Sequence, residues 1–196
     1  MKKDIILAGV GGQGVLSIAA IIAHAAVSAG LSVRQSEVHG MAQRGGAVLA
    51  HLRLSDTGDA VGPSIASDLV PQGGADLIIA MEPVESLRYT AWLAPEGALV
   101  TAAEPFVNIP DYPDIAGILK VIAAFPVNRI VQAEGLAKEA GLARAVNMVM
   151  VGAASPFLPI PEKTLEATIT AMFANKDASV GEANKRAFNL GRAAAA

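Results

Sequence analysis

"DIILAGVGGQGVLSIAAIIAHAAVSAG", Asp4 to Gly30, announces the architecture. Behind Asp4 an apolar run ends on Gly9, the pattern of a strand buried on both faces of a parallel sheet. A glycine turn follows, and an alanine-rich helix of about four turns stops at Gly30. The turn spells G-x-G-x-x-G through Gly9, Gly11 and Gly14, enclosing Gly12 and Gln13. After a strand and before a helix, Gly9 permits a tight turn and Gly11 lets backbone approach a diphosphate. Gly14 allows close helix–strand packing, with helix amides aimed at an anion. Two readings stand at this point: a nucleotide or phosphate site, or a turn that only packs the helix or seats a partner chain.

Further along, "LSVRQSE" (31–37) reads as a second strand and "AVLAHLRLS" (47–55) as a third, with the turn-rich "DTGDAVGPS" after it. "ADLIIAM" (75–81) and "GALVTA" (97–102) are further strands around a helix in "EPVESLRYTAWL" (82–93), with Pro83 near its first turn. Residues 105–113 form a proline-punctuated excursion. Then come a helix at 118–125, a strand at 128–133, a short helix at 134–142 and an apolar helix at 144–158. The last third has two amphipathic helices, 161–175 and 180–196, with no strand between them. In the second, Ala183, Ala187, Phe188 and Leu190 share one side, opposite Glu182, Lys185 and Arg186. Strands alternating with helices predict an α/β, Rossmann-like domain over 1–196. The expected sheet is open and mostly parallel, with helices on both faces and two C-terminal helices.

Between the second and third strands lies "SEVHGMAQRGGAV", Ser36 to Val48, which gathers reactive side chains in a chain only 17% charged. Glu37 ends the second strand, roughly 20 residues past the glycine turn, where a ribose-binding acid would sit. Arg44 offers a planar five-donor fork for phosphate or carboxylate, with Gln43 beside it. Gly45 and Gly46 let backbone come close to a ligand or a neighbour. His39 titrates near neutral pH and is within reach of Glu37. The plainer reading is a solvated loop with an internal Glu–Arg pair.

Composition narrows the function. Hydrophobic residues make up 53% of the 196 and mean hydropathy is +0.45. No apolar run reaches the ~18 to 20 residues that span a bilayer, and the N-terminus does not read as a signal peptide. A cytoplasmic protein is expected, presenting apolar surface to a permanent partner. Net charge −3 and 4% aromatic residues give neither the basic footprint nor the stacking platform of a nucleic-acid binder. Cysteine is absent, which removes thiolate zinc sites, a thiol nucleophile and cluster ligation by this chain. Glu37, His39 and His51 fit no recognisable metal-ligand spacing. No serine sits in a G-x-S-x-G elbow. Glu82 and Glu85 read as first-turn charges that complement a helix dipole.

"GVGGQGV", "SEVHGMAQRGGAV", "HLRL", "ADLIIAMEPVESLRY" and "EANKRAFNLG" together resemble the gamma-type domain of 2-oxoacid:ferredoxin oxidoreductases. The "EVHGMAQRGG" run is most similar to the beta-subunit branch acting on indolepyruvate. The likeness runs from Lys3 to about Arg192. It implies an accessory subunit of a thiamine-diphosphate, Mg²⁺ and [4Fe–4S] complex that decarboxylates a 2-oxoacid, passes electrons to ferredoxin and delivers the acyl group to coenzyme A. For the indolepyruvate branch, aryl pyruvates would give aryl-acetyl-CoA. The G-D-G…N run that holds thiamine diphosphate is missing; "TGDAVG" lacks the second glycine. The cofactors are therefore expected on a larger partner subunit. The loop from Ser36 to Val48 would face that partner, with Arg44 and Gln43 donating to coenzyme A phosphates or to partner groups, and His39 assisting. The competing expectation is a free-standing dinucleotide-binding or sensor domain built on Gly9 to Gly14 and Glu37. A purely structural assembly factor is a third.

Overall fold

The computed structural model describes residues 1–39, 45–56, 65–107 and 110–195, with only the backbone of His39. Among these residues, six strands form one sheet in the order β2-β3-β1-β4-β5-β6. They are β1 (Lys2–Val10), β2 (Ser32–His39), β3 (Ala47–Ser55), β4 (Ala75–Ala80), β5 (Leu93–Ala102) and β6 (Asn128–Val131). The pairs β1–β4, β4–β5 and β5–β6 are parallel, whereas β3 is antiparallel to both β1 and β2. Five strands thus share one direction and β3 alone opposes them, so the mostly parallel sheet is mixed at one side. The link from β2 to β3 explains this. Only residues 40–46 join the two strands, too few for the crossover that a parallel pair needs.

Among the described residues, seven helices flank the sheet: α1 (Val15–Ser28), α2 (Pro83–Arg88), α3 (Ile115–Ala123), α4 (Ala133–Glu139), α5 (Val146–Ala154), α6 (Glu162–Met172) and α7 (Ala178–Ala194). The larger core joins Ile5, Leu7, Leu52, Leu77, Ile79 and Val100 to α1 and to α4 through α7. The smaller one lies on the opposite face, where Ile6, Ile78 and Leu99 meet Leu87 of α2 and Ile118 and Ile122 of α3. Both faces being covered, Ile5, Ile6, Leu7 and Ala8 are all fully buried, which is why β1 reads as a continuous apolar run instead of alternating. The helix expected over 82–93 ends at Arg88; a single 3₁₀ turn, Thr90–Trp92, follows and β5 begins at Leu93, earlier than its apolar stretch suggests.

Two glycines set how the last helices pack. A Cβ on Gly152 of α5 would lie 1.9 Å from the Phe188 carbonyl oxygen, and one on Gly191 of α7 would lie 2.0 Å from that of Val149. The two backbones therefore touch where α5 crosses α7, and Phe188 is sealed beneath them. On the other face, β3 is fastened to β1 by a buried ion pair. Arg53 donates through Nε and Nη2 to the two Asp4 oxygens at 2.8 and 3.1 Å, and through Nη1 to the carbonyls of Ser67 and Leu69 at 2.8 and 3.0 Å.

Candidate functional site

At the carboxyl ends of the parallel strands the chain departs to opposite faces, from β1 into α1 and from β4 into α2. Open α/β sheets hold ligands at such a switch point. Here the side chain of Gln13 spans it. Its Oε1 accepts the Val10 N–H at 2.8 Å, and its Nε2 donates to the Met81 carbonyl at 3.1 Å. A Cβ at Gly9 would come within 2.7 Å of Val15 Cγ2 and 3.1 Å of Gln13 Oε1, so this glycine serves helix–strand packing. Gly14, with φ 83°, abuts Asn147 of α5, whose Nδ2 donates to the Gly14 carbonyl at 3.3 Å. Gly12, with φ 101°, faces open space.

Beyond Gly12 opens a cleft of about 400 Å³ lined by Gly12, Gly14, Glu104, Phe106, Arg144 and Asn147, among others. The N-terminus of α1 has neither a side-chain cap nor a first-turn acid, which leaves amide donors at this rim. Arg144 is exposed and meets no carboxylate among the described residues. The charge of Glu104 is taken up by the start of α4, where its two oxygens accept the N–H groups of Glu134 and Ala133 at 2.9 and 3.2 Å. Glu134 lines the cleft as well, its carboxylate 3.8 Å from Lys138 Nζ, and the amide donors with Arg144 are the groups there that suit an anion.

The second glycine pair joins the first. Because Val10 pairs with Ala47, the turn after β1 meets the turn before β3. The Gly11 N–H donates to the Gly46 carbonyl at 2.7 Å, and the Gly45 N–H to the Gly11 carbonyl at 3.3 Å, with Gly45 at φ 77°. His39 ends β2 opposite Val48. The His39 side chain, Gln43 and Arg44 lie outside the described residues.

Glu37 does not reach the glycine turn. It pairs with Ala50, which in turn pairs with Leu7, so β3 stands between it and β1, roughly 10 Å away at two strand spacings. Its exposed carboxylate accepts from Gln35 Nε2 at 2.7 Å. A ribose-binding acid belongs on the strand next to β1, and here that place is held by β3. His51 lies on the opposite face of the sheet from Glu37, buried, its Nδ1 accepting the Val70 N–H at 3.1 Å. Burial, and then the nearby Arg53 charge, lower its pKa. Among the described residues no three potential metal ligands converge.

Sequence reasoning missed one group at this rim. Glu82, 1% exposed, caps α2 by accepting the Glu85 N–H at 2.8 Å. Its other oxygen accepts the Tyr112 hydroxyl and, at 3.5 Å, the Phe106 N–H. Burial, then the bond to Glu82, push the Tyr112 hydroxyl well above its usual pKa, so it stays a donor. Glu85 is raised by burial, opposed by Arg88, whose Nε donates to it at 3.0 Å. Glu82, Glu85, Arg88, Tyr112 and Gly45 border a smaller cleft of about 210 Å³. The acids at 82 and 85 do start a helix, as their spacing suggests; nothing local announces Tyr112.

Comparison with known proteins fits this geometry. Residues 4–194 match the family model for pyruvate ferredoxin/flavodoxin oxidoreductase. The chain belongs to this family. Within the pyruvate ferredoxin/flavodoxin oxidoreductase family, the indolepyruvate oxidoreductase subunit IorB of Thermococcus kodakarensis is 37% identical over 100% of this chain and 97% of its own length. A 2-oxoglutarate:ferredoxin oxidoreductase from Magnetococcus marinus, solved with 2-oxoglutarate, coenzyme A and succinyl-CoA bound, superposes with TM-score 0.73 at 26% identity. It is matched over 99% of this chain but 31% of that one, so this chain spans about a third of that protein's length. The pyruvate oxidoreductase subunit PORC of Thermotoga maritima superposes with TM-score 0.71 at 25% identity, over 98% of this chain and 96% of that one. Among the described residues no helix is long and apolar enough to cross a membrane.

Proposed function

We propose that this chain is the accessory subunit of a cytoplasmic 2-oxoacid:ferredoxin oxidoreductase that converts indolepyruvate or other aryl pyruvates to aryl-acetyl-CoA. A larger catalytic subunit carries thiamine diphosphate, Mg²⁺ and the [4Fe–4S] clusters and delivers electrons to ferredoxin. In support, this chain has no cysteine to ligate a cluster, and IorB matches it end to end. The geometry that carries the reading is the join between Gly11 and Gly46 at the switch point. It brings Gly45 and Gly46, the glycine end of the 36–48 run, against the glycine turn, beside a cleft with amide donors and Arg144.

In this reading Gly9, Gln13 and Gly14 brace the rim, while Gly12 and the first amides of α1 face coenzyme A phosphates. Gln43 and Arg44 donate to coenzyme A or to partner groups, Gly45 and Gly46 shape the approach, and His39 assists. Fixed amide and guanidinium donors suit the permanent negative charge of phosphate groups. The test is Arg44→Ala in the assembled complex. Turnover or coenzyme A affinity should fall while the isolated subunit melts unchanged; full activity with full affinity would overturn the assignment. Titration of the lone chain with NAD and FAD supplies the contrast, since tight dinucleotide binding would favour a sensor domain.

A further inference from the structure

Glu82 is an unusual cap. Ser, Thr, Asp and Asn are the favoured residues at a helix start, because a short side chain folds back on the first-turn amides. Glu82 meets that need through one oxygen, at the Glu85 N–H. The extra methylene of glutamate lets the other oxygen reach the segment after β5, where it accepts from both the Phe106 N–H and the Tyr112 hydroxyl. A buried carboxylate is costly unless its lone pairs are filled, and here three donors from two segments fill them. This grip ties down the backbone at Phe106, whose N–H lies 3.5 Å from the carboxylate, and with it the root of the side chain. The half-exposed Phe106 ring lines the larger cleft, in company with Gly12, Arg144 and Asn147. An aromatic wall beside amide donors and a guanidinium suits a ligand that joins a flat ring to phosphates.

We infer that Glu82 is a positioning residue for coenzyme A: by holding Phe106 and Tyr112 it fixes the Phe106 wall of the cleft and sets affinity for a ligand it does not touch. This rests on the cleft being the coenzyme A site, as proposed above.

The test uses the assembled complex, with initial rates measured against coenzyme A at saturating 2-oxoacid. Glu82→Asp keeps a favoured cap for α2 but is too short to reach Phe106 and Tyr112; Tyr112→Phe removes one hydroxyl and no volume. Both should raise the KM for coenzyme A about tenfold, equal to about 1.4 kcal/mol, with kcat nearly unchanged. Phe106→Ala, which removes the wall itself, should raise it at least as far. A merely structural role for Glu82 would lower the melting temperature and leave KM where it is. If Phe106→Ala raises KM while Glu82→Asp and Tyr112→Phe do not, the positioning role is wrong and the cleft assignment stands. If none of the three moves KM, both fall. Should Glu82→Asp fail to fold, Tyr112→Phe alone distinguishes these outcomes.

Discussion

The Gly11 N–H donates to the Gly46 carbonyl at 2.7 Å, tying the turn after β1 to the turn before β3. Two motifs more than thirty residues apart thereby form one edge, and Gly45, at φ 77°, lets the chain bend into it. Gly45→Ala would place a Cβ in the left-handed region at a cost of about 1–2 kcal/mol. A modest fall in melting temperature is expected, with a larger loss of activity in the assembled complex. Equal activity at saturating substrate would show that the shape of this edge does not matter.

The crossing of α5 and α7 makes a sharper prediction. Gly152→Ala or Gly191→Ala would force backbones apart, since each new methyl would sit about 2 Å from a carbonyl oxygen. A loss of roughly 3 kcal/mol or more is expected from such overpacking. Gly181, also in α7, has nothing within 4 Å of the same position, so Gly181→Ala should stabilise by up to about 1 kcal/mol. Urea unfolding of the three variants checks the contrast, which an equal effect at all three positions would refute.

Arg53→Ala would leave Asp4 buried beside Lys2 alone and free two carbonyls of their donor. Breaking a buried pair in this way costs about 3–5 kcal/mol. Chemical denaturation should show the midpoint falling accordingly. A loss under about 1 kcal/mol would mean that the pair behaves as an exposed one.

His51 gives the protein a pH dependence of predictable sign. Its Nδ1 accepts the Val70 N–H, so the neutral ring is the one the fold holds, and its pKa lies below the ordinary 6.5. The unfolded chain therefore takes up this proton first. The contribution of His51 is complete above about pH 6.5 and is lost as pH falls through the lower, folded-state value. Melting temperature should drop on acidification from pH 7 towards 5, and His51→Asn should flatten that slope. Parallel slopes for the two proteins would contradict it.

How much of this was legible in the sequence differs from element to element. β1, the glycine turn and α1 could be read directly, because an apolar run, glycines and a 3.6-residue rhythm are local signals. The direction of β3 is not marked by its own residues. Yet the seven-residue link from His39 to Ala47 was a usable clue to an antiparallel neighbour, and with it to the exclusion of Glu37 from the turn. The buried side of α7 was visible through Ala187 and Phe188, while the need for Gly191 comes from a helix met only in the folded chain. Glu82 was recognised as a helix start and not as a node, because Tyr112 lies thirty residues along the chain.

At the heart of the proposal stands a subunit that completes an enzyme it cannot constitute alone. The decisive assay follows ferredoxin reduction by indolepyruvate with coenzyme A, thiamine diphosphate and Mg²⁺ present. It compares this chain, its cluster-bearing partner, and the two together. The chain alone should be inactive and the pair should form aryl-acetyl-CoA much faster than the partner by itself. Turnover by the solitary chain, or a partner that runs equally fast without it, would refute the proposal.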